Sequence, residues 1–157
     1  MDLLGPVLIA EASVNELGPM IDSGAHTSVC PPSFVASSPV MPGRNIQLVS
    51  VTGEPLQIIG EKMIELEEKQ LDQKVVKNFA RFVVADVRRP IRAVAEMVDD
   101  GWEVHFGKQN WMRRGSSRRP DDAVVLDRVG NQFYDRGVVK NASVNSFMTV
   151  PAGASEG

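Results

Sequence analysis

Asp22, Ser23, Gly24 and Ala25 follow directly on two apolar residues, Met20 and Ile21, and this run holds the strongest candidate for chemistry in the chain. A carboxylate presented on a tight turn at the end of a strand can take up a proton, donate one or polarise a carbonyl. Ser23 can hydrogen-bond its neighbours in such a turn. Gly24 would permit a positive φ or the close approach of another chain. Taken alone, Asp-Ser-Gly also describes an ordinary surface turn capped by Asp22. A competing reading pairs His26 with Cys30 as a thiol dyad. If Val29 and Cys30 belong to a strand, Cys30 is more simply a small buried residue. A single cysteine excludes an internal disulfide framework, and with only His26 and His105 beside it no zinc site of His and Cys ligands is expected. No metal or other cofactor is expected.

The elements that must position Asp22 can be read on either side of it. At 157 residues, 43% hydrophobic and 24% charged, the chain has the composition of one globular domain with extra terminal sequence. The net charge of −3 gives no global basic field for nucleic acid, and no apolar run is long enough to span a bilayer. Residues 3–10 are an apolar patch without a basic leader region, either a strand or a fragment of an upstream region. Gly18-Pro19 breaks the chain just before Met20. After a Pro/Ser-rich connection, Asn45 to Val51 alternates as a half-buried strand should. Thr52-Gly53-Glu54-Pro55 signals a turn, and Leu56 to Gly60 reads as the returning strand.

Residues 61–86 carry mixed signals. Ile64, Leu71, Val75, Phe79 and Phe82 fall near helical spacing, whereas Met63 to Glu67 partly alternates and Phe79 to Ala85 has strand composition. Glutamates 65, 67 and 68 read as a solvated face. Ala93 to Asp100 fits a short helix stopped at Gly101, and Trp102 to Gly107 alternates as a strand. Lys108 to Arg119 is basic with a Gly-Ser-Ser centre. It reads as a solvated linker rather than a nucleic-acid contact. Ala123 to Asp127 and Asn131 to Asp135, flanking Val129-Gly130-Asn131, suggest one more hairpin, and residues 140–157 a frayed tail.

The run Asp22-Ser23-Gly24-Ala25 resembles the active-site loop of aspartic proteases. Because the chain has one such loop, the closer likeness is to retropepsins, the proteases of retroviruses and LTR retrotransposons. The likeness covers about residues 18–107. It includes the hairpin with its tip at Gly53, some 30 residues after Asp22, the strand and Pro-Ile turn from Phe82 to Ile91, and the helix and strand that follow. Ile91-Arg92-Ala93 departs from the Ile-Leu-Gly that many retropepsins carry. The resemblance implies an all-β fold, a retropepsin-like acid-protease barrel with a flap hairpin and one short helix, active as a homodimer. It implies two strands in 61–86 with a turn near Lys69 to Gln73, and a substrate-binding flap at Val51, Thr52, Gly53 and Glu54. The corresponding division is 1–17 as an N-terminal extension, 18–107 as the protease domain, 108–122 as a basic linker, and 123–157 as a hairpin and flexible tail.

The chemistry the resemblance implies needs two carboxyls, one ionised to take a proton from water and one protonated to polarise the scissile carbonyl. Two close carboxylates cannot both ionise cheaply, so they share a proton. A monomer carrying only Asp22 lacks the second group, and a homodimer supplies it. Ser23 and Gly24 would then lock and accommodate the two loops across the two-fold axis, with Ala25 supporting them. The expected substrate is a peptide or retroelement polyprotein and the expected location cytoplasmic, with no membrane partner. The alternative is a catalytically inactive dimerisation or binding module, a decayed retroelement copy that keeps the fold.

Overall fold

The structure is a computed structural model in which residues 18–50 and 52–136 are described. Among these residues eleven strands form in chain order: β1 (Met20–Asp22), β2 (Val29–Cys30), β3 (Leu48–Val49), β4 (Pro55–Leu56), β5 (Ile58–Lys69), β6 (Val75–Ala85), β7 (Ile91–Ala93), β8 (Trp102–His105), β9 (Trp111–Arg114), β10 (Val124–Val129) and β11 (Gln132–Asp135). Helix α1 (Val94–Asp99) lies between β7 and β8, and a 3-10 turn occupies Pro120–Asp122. Nine strands form one sheet in the order β5-β6-β2-β7-β1-β11-β10-β9-β8, while β3 and β4 pair with each other.

Among the described residues the all-β expectation therefore stands, with one short helix, but the sheet does not close into a barrel. It ends in two edges, β5 and β8, instead of joining them. The two strands expected in 61–86 are β5 and β6, paired antiparallel from Lys69↔Val75 down to Ile58↔Ala85. Period-2 alternation decides this segment: Lys62, Ile64, Leu66 and Glu68 turn inward, while Met63 is exposed and Glu65 and Glu67 half-buried. The inward residues Ile64, Leu66, Ala80, Phe82 and Val84 pack with Cys30 and the half-buried Phe34 and Val35. A second cluster joins Ile21, Met97, Trp102, Met112, Val124 and Leu126. Burial of these side chains, at about 1.5–3 kcal/mol each, is what holds the sheet to its helix and loops.

Three local expectations need correction. Glu68 does not lie on a solvated face: it is fully buried, its Oε1 accepts from Asn78 Nδ2 at 2.7 Å, and its Oε2 lies 3.6 Å from Arg92 Nη1. The alternation that buries Ile64 and Leu66 carries Glu68 inward as well, and Arg92 is there to meet it. The basic segment 108–122 is not a linker, because Trp111–Arg114 is a sheet strand paired with both β8 and β10. Met112 is its buried anchor, Arg113 and Arg114 bond to Glu103 and Asp100, and their guanidiniums lie over Trp111 and Trp102. The sheet thus runs on through residue 107, and the 124–135 hairpin is part of it through β11 on β1. Gly18-Pro19 does not interrupt it: Gly18 N–H donates to Asp135 O and Asp135 N–H to Pro19 O, both at 3.1 Å.

Gly101 ends α1 with φ +94°, as its position predicts. Residues 1–17 and 137–157, with their apolar patch and tail, lie outside the described residues.

Candidate functional site around Asp22

Asp22 is the last residue of β1, a three-residue strand held on both sides. On one side β7 runs parallel to it, with Asp22 opposite Ala93. On the other, β11 runs antiparallel, with Ile21 opposite Phe133. Ile21 is buried and anchors the strand, so the alternation turns Asp22 to the opposite face, where it is half-buried. Ser23 and Gly24 continue as an exposed turn, followed by half-buried Ala25. The Gly24 N–H donates to Asp22 Oδ1 at 2.8 Å, a short link that orients the carboxylate within its own turn. Gly24 does not take the left-handed backbone: among the described residues, positive-φ glycines are Gly53, Gly101 and Gly130. A Cβ at Gly24 would stand 3.4 Å from Asp22 Oδ1, an ordinary van der Waals contact.

The loop is seated by Ser28, a residue the sequence motif does not mark. Its hydroxyl, buried, accepts from the Ala93 N–H at 2.9 Å. Its own N–H donates to Glu96 Oε1 at 2.8 Å, and its carbonyl accepts from Val83 N–H at 2.9 Å. One residue thus ties the far end of the Asp22 loop to β6, β7 and α1. Every buried backbone donor needs such a partner, and a Ser near a strand end is the only sequence signal for it.

The hairpin at Gly53 forms, with Leu48 opposite Leu56 and Gly53 at φ +87°. Gly53 N–H donates to Ser50 O at 2.9 Å and Ser50 N–H to Glu54 O at 2.7 Å, which closes the turn. Thr52, Gly53 and Glu54 are exposed, and Val51 lies outside the described residues. The strands are shorter than the alternation predicts, because β4 ends at Leu56 and the chain then enters the long β5.

Cys30 is fully buried, and burial pushes its thiol up to about 11, with the Lys62 charge acting in the opposite direction. A thiol so placed is a poor source of thiolate, and His26 is exposed on the loop. Among the described residues no group of three or more His, Cys, Asp or Glu side chains is arranged to hold a metal ion.

Two concavities matter for function. The larger, about 610 Å³, lies between α1 and the outer face of β5–β6 and includes Arg44, Met63, Phe79 and Glu96, but not Asp22. Its arginines are already paired: Arg44 binds Glu61 at 2.7 Å and approaches Glu96 at 3.8 Å, and Arg114 meets Asp100 at 3.2 Å. The smaller, about 350 Å³, is lined by Asp22 and Ser23 together with Phe106, Asn131, Gln132 and Phe133. Chemistry, not size, selects the second. None of these four residues follows from the loop motif, since Asn131, Gln132 and Phe133 arrive through the β1–β11 pairing and Phe106 through the chain that follows β8.

No helix among the described residues is long and apolar enough to cross a membrane. Comparisons with known protein families, with curated proteins and with solved structures find no match for this chain.

Proposed function

We propose that the chain is an aspartic endopeptidase of the retropepsin type. In this reading it acts as a homodimer that activates water between two Asp22 carboxyls and processes a retroelement polyprotein. The observation that carries the reading is the presentation of Asp22. A carboxylate stands at the end of a strand gripped by a parallel and an antiparallel neighbour, on an exposed Ser-Gly turn beside a cavity. A site left open in this way suits completion by the same turn of a second copy.

In the dimer, the ionised Asp22 takes a proton from water as the oxygen attacks the scissile carbonyl carbon. The protonated Asp22 gives its proton to the carbonyl oxygen. Collapse of the tetrahedral adduct breaks the C–N bond, and a proton passes to the leaving amine. The Gly53 hairpin would close over the peptide and exclude water.

The test is cleavage of a peptide library and of the chain's own flanks at acidic to neutral pH, with Asp22→Asn alongside. Cleavage by the wild type, none by a folded and dimeric Asp22→Asn, and activity rising more steeply than protein concentration near the dimer dissociation constant are the expected results. Comparable turnover by the variant overturns the assignment. A normal dimer that cleaves nothing leaves the inactive-module alternative in its place.

A further inference from the structure

Independently of the chemistry at Asp22, we propose that the edge of β6 binds an extended acidic segment of a partner protein. The segment adds as an antiparallel strand in the groove between β6 and α1. Among the described residues β2 pairs with β6 only at Val83 and Val84, so the earlier part of β6 has β5 on one side and no strand on the other. The cavity of about 610 Å³ lies along that side. Its lining takes in five consecutive residues, 77–81. Consecutive strand residues point to opposite faces, so the cavity follows the backbone edge of β6 as well as its outer face.

The register fixes which backbone groups face the groove. In an antiparallel pair, residues alternate between exchanging both hydrogen bonds with the partner and turning both groups away. Val83 turns away from β5, since its N–H donates to Ser28 O at 2.9 Å. Its register partner Glu61 turns the other way and exchanges bonds with Met41 at 2.8 and 2.9 Å. The pairing runs without a shift from Gly60↔Val84 to Lys69↔Val75, so Arg81, Phe79 and Lys77 also turn their N–H and C=O away from β5. Among the described residues no backbone group pairs with them on that side. Such a row of donors and acceptors is what an added strand satisfies. Arg92, 3% exposed, lines the same cavity, and its Nη1 donates to no acceptor although Glu68 Oε2 lies 3.6 Å away. It offers a donor to an inward-facing polar side chain of the docked strand.

The side chains select an alternation of acidic and apolar residues. Residues directly opposite in an antiparallel pair share a face, so the docked strand sets one side chain beside each of Lys77, Phe79 and Arg81. Phe79 is 56% exposed and, with the exposed Met63, gives the cavity its apolar surface. β5 shows what the two cations accept from a neighbouring strand: Lys77 Nζ lies 3.5 Å from Glu65 Oε2 and Arg81 Nε 3.6 Å from Glu61 Oε1. Both pairs are long and both cations are more than half exposed, so each can take a second carboxylate. Five cationic and three acidic side chains line the cavity, and two of the acids, Glu96 and Asp100, are met by Arg44 and Arg114. The segment that fits is therefore acidic, apolar and acidic at alternate positions.

The probe is the peptide Thr-Glu-Thr-Leu-Thr-Glu-Thr, blocked at both ends and titrated by calorimetry into the full chain at low salt. In the antiparallel alignment its Glu and Leu amides face β6 and its Thr amides face away. Methylating the Leu nitrogen should weaken binding by about tenfold or more, and methylating a Thr nitrogen beside it by less than about twofold. Replacing both Glu by Lys in the peptide, or combining Lys77→Glu with Arg81→Glu in the protein, should each weaken binding by about tenfold, and the two changes together should restore it. Phe79→Pro removes an edge N–H that β5 does not use, so the variant should fold and lose the peptide. Asp22→Asn should bind it as the wild type does, because Asp22 does not line the groove. No binding, equal loss from the two methylations, or equal binding of the Lys peptide overturns the proposal. Self-association of the wild type that Phe79→Pro abolishes, with no peptide bound, gives the edge to a second copy and overturns it as well.

Discussion

Ser28→Ala is the sharpest test of how the Asp22 loop is held. The substitution removes the side-chain acceptor of the Ala93 N–H, a 2.9 Å bond made in a buried position. Ala93 is 0% exposed and Ser28 4%, so water does not replace the lost partner. Stranding a buried backbone donor costs about 1–3 kcal/mol, well above the typical net value of a hydrogen bond. The Ser28 backbone bonds to Glu96 and Val83 survive, so the loss is confined to one donor. With a urea dependence of about 1–3 kcal/mol per molar, the unfolding midpoint should fall by about 1 M. Both proteins must be compared at one concentration, because dimerisation would add to apparent stability. Ser116→Ala, at an exposed position, is the control and should stay within about 0.5 kcal/mol of wild type. A Ser28→Ala shift no larger than the control's would refute the hydrogen-bond accounting. Since Ala93 is the register partner of Asp22, the proposed protease activity predicts that a displaced β7 should also lower kcat by about tenfold with little change in KM.

Other consequences are equally direct. Gly60→Ala would place a Cβ 2.5 Å from Met41 O and 2.6 Å from Val40 Cγ1, so the Met41↔Glu61 bridge must open. Calorimetric unfolding should show a loss of about 1–3 kcal/mol, and an unchanged melting temperature would contradict the packing there. Burial pulls the Glu61 carboxyl up, but the Arg44 side chain and N–H, with the charges of Arg44 and Arg81, outweigh it and hold it below 4.5. A depressed folded value means the stabilisation is complete above the unfolded value and is lost as pH falls through the folded one. Glu61→Gln should therefore be less stable than wild type at pH 7 by about 1–2 kcal/mol, discounted for the partly exposed Arg44, and the gap should shrink below pH 4.5. A gap independent of pH would show that the ion pair contributes nothing. With its thiol near 11 and no exposed surface, Cys30 should resist iodoacetamide at pH 8 in the folded protein and react fully in denaturant. Rapid labelling of the folded chain would reopen the thiol reading.

What the sequence determined by itself is the local layer. The glycines at 53, 101 and 130 mark two hairpin turns and a helix end, and each takes a positive φ where its neighbours predict a reversal. The alternation through Ile64 and Leu66 carries the strand period because one face of β5 is buried, and the resemblance supplied the choice that mixed periodicity left open. The presentation of Asp22 on a turn after an apolar strand is likewise local, since Ile21 needs burial and the Ser-Gly turn does not.

Only tertiary structure decided the rest. Arg113 and Arg114 look like a solvated charge run until β8 and β10 pair on either side of them and Trp102 and Trp111 lie under their guanidiniums. Glu68 looks solvated beside Glu67 until Arg92 arrives from β7, many residues away, to neutralise it. The walls of the cavity at Asp22 come from β11 and the end of β8, brought there by backbone pairing whose partners no local pattern names. Turn geometry and side-chain alternation are properties of a few consecutive residues, and so are written in them. Strand order and the pairing of buried charges depend on contacts between distant segments, which exist only once the sheet has formed.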